Sequence, residues 1–406
     1  MKRIKIIIGA NFGDEGKGLM TDYFCNMKSV FEHALNIRFC GGSQAGHTAV
    51  TPDGLRHVFS HFGAGIFNNN VATYLGKDFI LNPILFWREY GKLSAYGIKP
   101  KVYIHPECKV TLPFDMMVNQ MVERQRGKDR HGSCGLGINE TLVRNRALKI
   151  DNSISNANVN SYLDDFMDTV RVEYTAERLK ELGVKNISRQ DMELLGDRTI
   201  QKNYIQQYND MLNYCEIIGD EILERYSYLV FEGAQGLLLD KNNKSFFPNL
   251  TPSNTGMDNV LLMLYQLGAN WDAFNDVEIC YVTRSYFTRH GAGAFPTECN
   301  KTDIAENLVD LTNQYNEFQG DFRYGYFDSE LLDGTINKDI DKIRGRKIKV
   351  SLSVTHLDET SGVIADGTKN GLTVDRLKSD VGIFNTTYQC YGMTRRDVKA
   401  EQHNNL

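Results

Sequence analysis

The sequence predicts an α/β fold: a mostly parallel central sheet flanked by helices, with a helical insertion. Three observations carry the expectation. The chain opens with Ile4-Lys5-Ile6-Ile7-Ile8-Gly9, a glycine-rich loop over 13–18 and a helix from Leu19, the order in which α/β proteins place a phosphate at a helix N-terminus. Further short apolar runs recur at 36–40, 226–231, 277–282 and 348–354 with helical stretches between them, as buried parallel strands require. The segment 154–226 differs, being rich in charged and amide side chains at helical spacing, and reads as a helical insertion on the sheet. With no repeat, low-complexity tract or proline-rich linker, residues 1–406 read as one elaborated domain.

Composition narrows the function. A formal net charge of −5 with 41% hydrophobic residues is an ordinary globular balance and argues against a nucleic-acid partner, which selects a basic surface. No apolar run approaches the roughly 18 residues of a membrane span. Met1-Lys2-Arg3-Ile4-Lys5 has the basic start of a signal peptide, but Ile6-Ile7-Ile8 is too short for its apolar core. The eight cysteines, at 25, 40, 108, 134, 215, 280, 299 and 390, form no Cys-x-x-Cys pair and read as free thiols of a cytoplasmic protein.

Four motifs can carry chemistry. In Gly9-Ala10-Asn11-Phe12-Gly13-Asp14-Glu15-Gly16-Lys17-Gly18, close glycines let backbone N–H groups approach phosphate oxygens and Lys17 adds a point charge. Its spacing is not that of a Walker A loop, and Gly18 stands where a Mg²⁺-binding hydroxyl would follow the lysine; Asp14 can replace that hydroxyl or act as a base. Gly41-Gly42-Ser43-Gln44-Ala45-Gly46-His47-Thr48 follows the second strand, which puts His47 at a strand's C-terminal edge, where doubly wound sheets bind ligands. Phe231-Glu232-Gly233-Ala234-Gln235-Gly236 ends another strand with one amide able to donate and accept, and the hydroxyl-rich loop Thr251-Pro252-Ser253-Asn254-Thr255 follows. Thr355-His356-Leu357-Asp358 ends a fourth, and its aspartate can accept two hydrogen bonds from the edge of guanine. Singly these have plainer readings: a structural turn, a core histidine, a helix cap, an exposed carboxylate.

In this order the motifs resemble those of adenylosuccinate synthetases. Residues 12–18 match that family's Trp-Gly-Asp-Glu-Gly-Lys-Gly with Phe12 for tryptophan. Residues 41–48 match Gly-Gly-x-Asn-Ala-Gly-His-Thr with Gln44 for asparagine, and 231–236 match Phe-Glu-Gly-Ala-Gln-Gly. Residues 251–255 and 288–298 are close to two further blocks. The resemblance implies a P-loop-NTPase-like fold and a GTP-dependent ligase of purine biosynthesis. Such an enzyme joins aspartate to C6 of IMP through a 6-phosphoryl intermediate, with Mg²⁺ and as a homodimer. It implies Asp14, His47 and Gln235 as catalytic groups. Gly13, Glu15, Gly16, Lys17, Gly18, Thr48, His356, Asp358 and Gly392 are the implied GTP ligands, and Asp14 with the Gly46 carbonyl would hold Mg²⁺. For the purine monophosphate it implies Gln44, Ser133, Cys134, Gln235, Thr251 and one of Arg144 and Arg146, the arginine that crosses a dimer.

The sequence also departs from the family. The stretch 318–328, where the family places its aspartate-binding loop, is shorter and keeps Arg323, which with Thr297 is the expected amino-acid site. Cys134 stands for a phosphate-binding threonine and His356 for a lysine beside the guanine. Two alternatives follow: a phage-type synthetase acting on dGMP, against which the retained Asp14 argues, and a non-catalytic nucleotide-binding paralogue, against which Asp14, Lys17, His47 and Gln235 together argue.

Overall fold

The computed structural model describes residues 2–27, 33–127, 132–148, 160–266, 274–313, 315 and 317–403. A ten-stranded sheet runs through it. Across the sheet the strands lie in the order Val398–Gln402, Thr386–Cys390, Lys349–Thr355, Phe274–Arg284, Lys2–Gly9, Tyr228–Gly236, Ala34–Arg38, Val71–Leu75, Val102–Ile104 and Glu216–Ile217. Every neighbouring pair is parallel except the outermost, Thr386–Cys390 with Val398–Gln402. The expected mostly parallel sheet is therefore present, and the five strands read from apolar runs all belong to it. Ile4, Ile6, Ile7 and Ile8 are fully buried, because the first strand is central and covered on both faces.

One polar side chain interrupts that strand. Lys5 lies directly opposite Glu278 and donates to it at 2.7 Å, while the other side of the same carboxylate accepts from Ser351 at 2.7 Å and Tyr388 at 2.8 Å. Four adjacent strands are thus joined by one buried hydrogen-bonded ladder, which satisfies charges that burial would otherwise penalise.

Helices Asn160–Thr169, Thr175–Glu181, Arg189–Gly196 and Arg198–Tyr214 pack with helices Pro83–Ala95 and Pro113–Arg126, with Leu163, Phe166, Tyr204 and Tyr208 in a core shared with Phe62, Phe86 and Ile104. The insertion expected over 154–226 starts outside the described residues (154–159); its α-helices end at Tyr214, and a short 3-10 helix, Asp220–Arg225, closes the range. Glu216–Ile217 joins the sheet edge beside Val102–Ile104, and two residues are too few for a period to betray them. Arg144 is also corrected here. It is fully buried, gives Nε and Nη2 to Asp115 at 2.8 Å each and Nη2 to the Val110 carbonyl at 2.9 Å, and so ties helix Ile138–Leu148 to helix Pro113–Arg126.

Helix Lys17–Cys25 starts against the hairpin formed by His47–Val50 and Arg56–Phe59. A Cβ on Gly18 would lie 2.4 Å from the Thr48 carbonyl oxygen, so only glycine allows that approach. Gly18→Ala is expected to destabilise the protein by about 1–3 kcal/mol through overpacking, read as a lower urea midpoint; an unchanged midpoint would mean that the hairpin yields freely. Arg144→Met leaves the Asp115 carboxylate buried and unpaired and is expected to cost about 3–5 kcal/mol in the same measurement.

Candidate active site

The C-terminal ends of the parallel strands converge on one cavity of about 1000 Å³. Its floor is the loop after the first strand. Glu15 is 1% exposed and turned beneath that loop: its carboxylate accepts from the backbone N–H of Asn11 (3.1 Å) and Gly13 (2.8 Å) and from Lys17 Nζ (2.5 Å). Asp14 is left above with φ 62° and accepts no hydrogen bond from the described residues; the His290 ring lies near it, with Nε2 3.8 Å from its carboxylate. Gly16 caps the helix at φ 96°, and a Cβ there would meet the Thr355 methyl at 2.9 Å. Thr355 donates its hydroxyl to the Glu15 carbonyl at 2.7 Å, which fastens the loop to the strand Lys349–Thr355.

Among the described residues, four that are not glycine hold positive φ: Asp14, Gln235, His356 and Ser361. Three of the four were named from the sequence, and all three sit at strand ends facing the cavity. Such conformations cost about 1–3 kcal/mol each and persist where surrounding structure enforces them.

His47 is 6% exposed and places Nδ1 2.5 Å from the carboxylate of Glu232, which is fully buried and accepts a second hydrogen bond from Ala64 N–H at 3.1 Å. Arg38 lies opposite Glu232 in the paired strands and is itself fully buried. Burial alone would raise the Glu232 pKa, but Arg38 and the His47 hydrogen bond outweigh it and hold the carboxyl below its usual range. Burial, then the Arg38 charge, draws His47 down to about 4 against the pull of Glu232. The imidazole is accordingly neutral at pH 7, with Nδ1–H given to the carboxylate and Nε2 left for the cavity. Sequence reading passed over Glu232 although it stands inside a recognised motif; an acidic residue in a strand otherwise buried on both faces was the available signal.

Of the residues expected at the site, Gly13, Asp14, Gly16, Lys17, Gly18, Gln44, Gly46, His47, Thr48, Ser133, Cys134, Gln235, Thr251, His356, Asp358 and Gly392 line the cavity together. Ser133 is held by Asn119 Nδ2 at 2.8 Å. His356 turns Nδ1 to the Thr355 hydroxyl at 2.7 Å, and burial with the nearby Arg284 charge keeps it neutral. Five expected residues do not reach it. Glu15 has its carboxylate under the loop, Arg144 is spent on Asp115, and Arg146 is exposed on the outer face of its helix. Arg323 is folded onto Glu298, Nε to Oε1 at 2.7 Å, and gives Nη1 to the Gly291 and Gly293 carbonyls; Thr297 lies in the same small sheet region behind the cavity wall.

That wall is made of residues the sequence did not point to. Arg284 donates Nε to the Asp14 carbonyl at 2.6 Å and Nη2 to Asp310 at 3.0 Å. Asp310 also accepts from the N–H groups of Thr312 and Asn313, and Asn313 Oδ1 lies 3.1 Å from His290 Nε2. Thr312 reaches the opposite side, with its hydroxyl 3.1 Å from that of Thr48 and 2.5 Å from Arg56 Nη2. The segment 309–313 thereby spans the cavity mouth beside Asp14.

Comparison with known proteins places this arrangement in a family. The adenylosuccinate synthetase family profile matches residues 6–362. The adenylosuccinate synthetase of Acinetobacter baylyi is 27% identical over 405 residues, covering 95% of this chain and 82% of that protein. That of Mesoplasma florum is 28% identical over 314 residues, covering 76% and 68%. Among solved structures, the fully ligated adenylosuccinate synthetase of Plasmodium falciparum superposes with a TM-score of 0.71 at 17% identity, over 98% of this chain and all of that one. The succinoaminodeoxyadenylate synthetase of cyanophage S-2L, bound to dGMP and to dATP as energy donor, gives 0.62 at 14% identity, covering 98% and 95%. The chain belongs to the adenylosuccinate synthetase family and is a GTP-dependent ligase of that type.

Proposed function

We propose that the protein joins L-aspartate to C6 of a purine 5′-monophosphate, converting IMP to adenylosuccinate while GTP becomes GDP and phosphate. The observation that carries this reading is the convergence of Asp14, Lys17, His47 and Gln235 on one cavity, with the Asp14 carboxylate accepting no hydrogen bond from the described residues and His290 Nε2 3.8 Å away.

Asp14 takes the proton from N1 of the purine, so that O6 attacks the γ-phosphate of GTP. Gln235, held at a strand end by its left-handed backbone, orients the base. The loop N–H groups and Lys17 receive the phosphate tail at the start of the helix. Nε2 of His47 lines the cavity on the side of the departing phosphate; a proton taken from solvent as negative charge gathers there lets the ring donate Nε2–H to a phosphate oxygen while Glu232 holds Nδ1–H. The O6–phosphate bond then makes a good leaving group, and the aspartate amine displaces phosphate at C6. His356 and Asp358 lie where the guanine edge is read.

Asp14 and the exposed backbone of Gly46 suit Mg²⁺. Among the described residues there is no cluster of three His, Cys, Asp or Glu that would hold a metal, and Mg²⁺ characteristically takes one or two carboxylates and completes its shell with phosphate and water. When bound, the ion neutralises charge on the phosphates. With Arg144 locked inside, Arg146 is the member of the pair able to reach a second copy in the homodimer this reading includes.

Phosphate release from GTP, measured with IMP or dGMP and with or without aspartate, tests the assignment when product masses are also determined. Aspartate-dependent turnover with IMP is expected; turnover with dGMP alone would move the chain to the phage-type reaction, and binding without turnover would make it an idle scaffold. Asp14→Asn should lower kcat by roughly 10²–10⁴-fold. Glu232→Gln, which leaves His47 without its ionised partner, should lower kcat roughly ten- to hundredfold with both nucleotide KM values little changed. A change confined to KM would separate Glu232 from the chemistry.

A further inference from the structure

The charges around the cavity are compensated in a telling pattern. Lys17, the cation of the phosphate loop, sits 2.5 Å from Glu15, both almost fully buried, so the loop and its lysine together bring no net side-chain charge to a polyphosphate. Arg126 is paired with Glu123, Arg178 with Glu140, and Arg284 with Asp310. Arg289 gives its guanidinium to the carbonyls of Asn249, Ala292 and Ala294. Two cations line the same cavity with no acidic partner among the described residues: Lys241, which is exposed, and Arg56, whose contact there is the Thr312 hydroxyl beside Thr48.

Position and chemistry agree. Arg56 is opposite Val50 in the hairpin, and alternation along the two strands puts Thr48, Val50, Arg56 and Val58 on the face that lines the cavity. The Thr48 carbonyl rests on Gly18 at the start of the phosphate-loop helix, and its hydroxyl is 3.1 Å from the Thr312 oxygen that Arg56 holds. The guanidinium is therefore two hydrogen bonds from Thr48, whose carbonyl packs on the first turn of the helix, and it sits on a side chain long enough to swing. A triphosphate tail at that terminus carries several negative charges, and a planar fork of N–H donors suits its oxygens.

We propose that Arg56, the cation without an acidic partner that stands beside the phosphate-loop helix, binds the phosphate tail of the nucleoside triphosphate, leaving the Thr312 hydroxyl when the tail arrives. The inference rests on the reading of the loop as the GTP phosphate site. Titration calorimetry with Mg²⁺–GTP and with inorganic tripolyphosphate, on the wild type, Arg56→Gln, Arg56→Lys and Thr312→Val, tests it. Arg56→Gln should weaken both probes alike by roughly ten- to hundredfold, the range of one charge-assisted hydrogen bond, and Arg56→Lys should restore part of the loss. Thr312→Val, which removes the resting partner but keeps the cation, should bind at least as tightly as wild type. Arg56→Gln binding within about twofold of wild type, loss of GTP with tripolyphosphate unaffected, or Thr312→Val as weak as Arg56→Gln, would each overturn the assignment while leaving the GTP reading intact. A wild type that binds neither probe would sink that reading and this inference with it.

Discussion

The buried carboxylate of Glu15 is the contact on which the site depends. By accepting two loop N–H groups and the ammonium of Lys17 it fixes the loop's curvature, and the loop in turn sets where Asp14 stands, where the helix begins and how Thr355 reaches back to the backbone. An acidic side chain beneath an anion-binding loop looks contrary, yet it turns selected amides inward, leaves the others for a ligand and presets the lysine. The cost is cationic charge, and the distribution of the remaining guanidinium groups follows from it.

Much of this was legible in the residues. Strands read from apolar runs are those buried on both faces, where no alternation is needed and the signal is strongest. Asp14, His47, Gln235 and His356 could be named because glycines or strand ends beside them forecast sharp turns at the sheet's C-terminal edge, and the left-handed backbone at three of these positions is the physical form of that forecast. The strand Thr386–Cys390 escaped notice because its polar alternation is weak, and Glu216–Ile217 because it is two residues long.

What the sequence left hidden are partnerships across long separations. Arg144 and Arg323 look like free cations beside glycine-rich segments; only the fold shows one buried on Asp115 and the other paired at the surface with Glu298, 29 and 25 residues away in the chain. Asp310 and Thr312 come from a stretch with no motif of its own, and His290 from the block 288–298 but from a position no motif singles out; they meet beside Asp14 because two loops fold over the same strand end. Charge in a sequence says where cations are, and pairing decides which of them are available.

The hydrogen-bonded ladder of Lys5, Glu278, Ser351 and Tyr388 acts as an index mark for assembly. A run such as Ile6-Ile7-Ile8 is nearly indifferent to a shift along its neighbour, since one isoleucine replaces another. Lys5 is not indifferent: a slip of one residue would carry its ammonium to the opposite face and leave two charges stranded in the core. The misaligned sheet is thus excluded energetically by a contact in the strands themselves, and the loops at their C-terminal ends start from a common height before Thr355 and Arg284 fasten them.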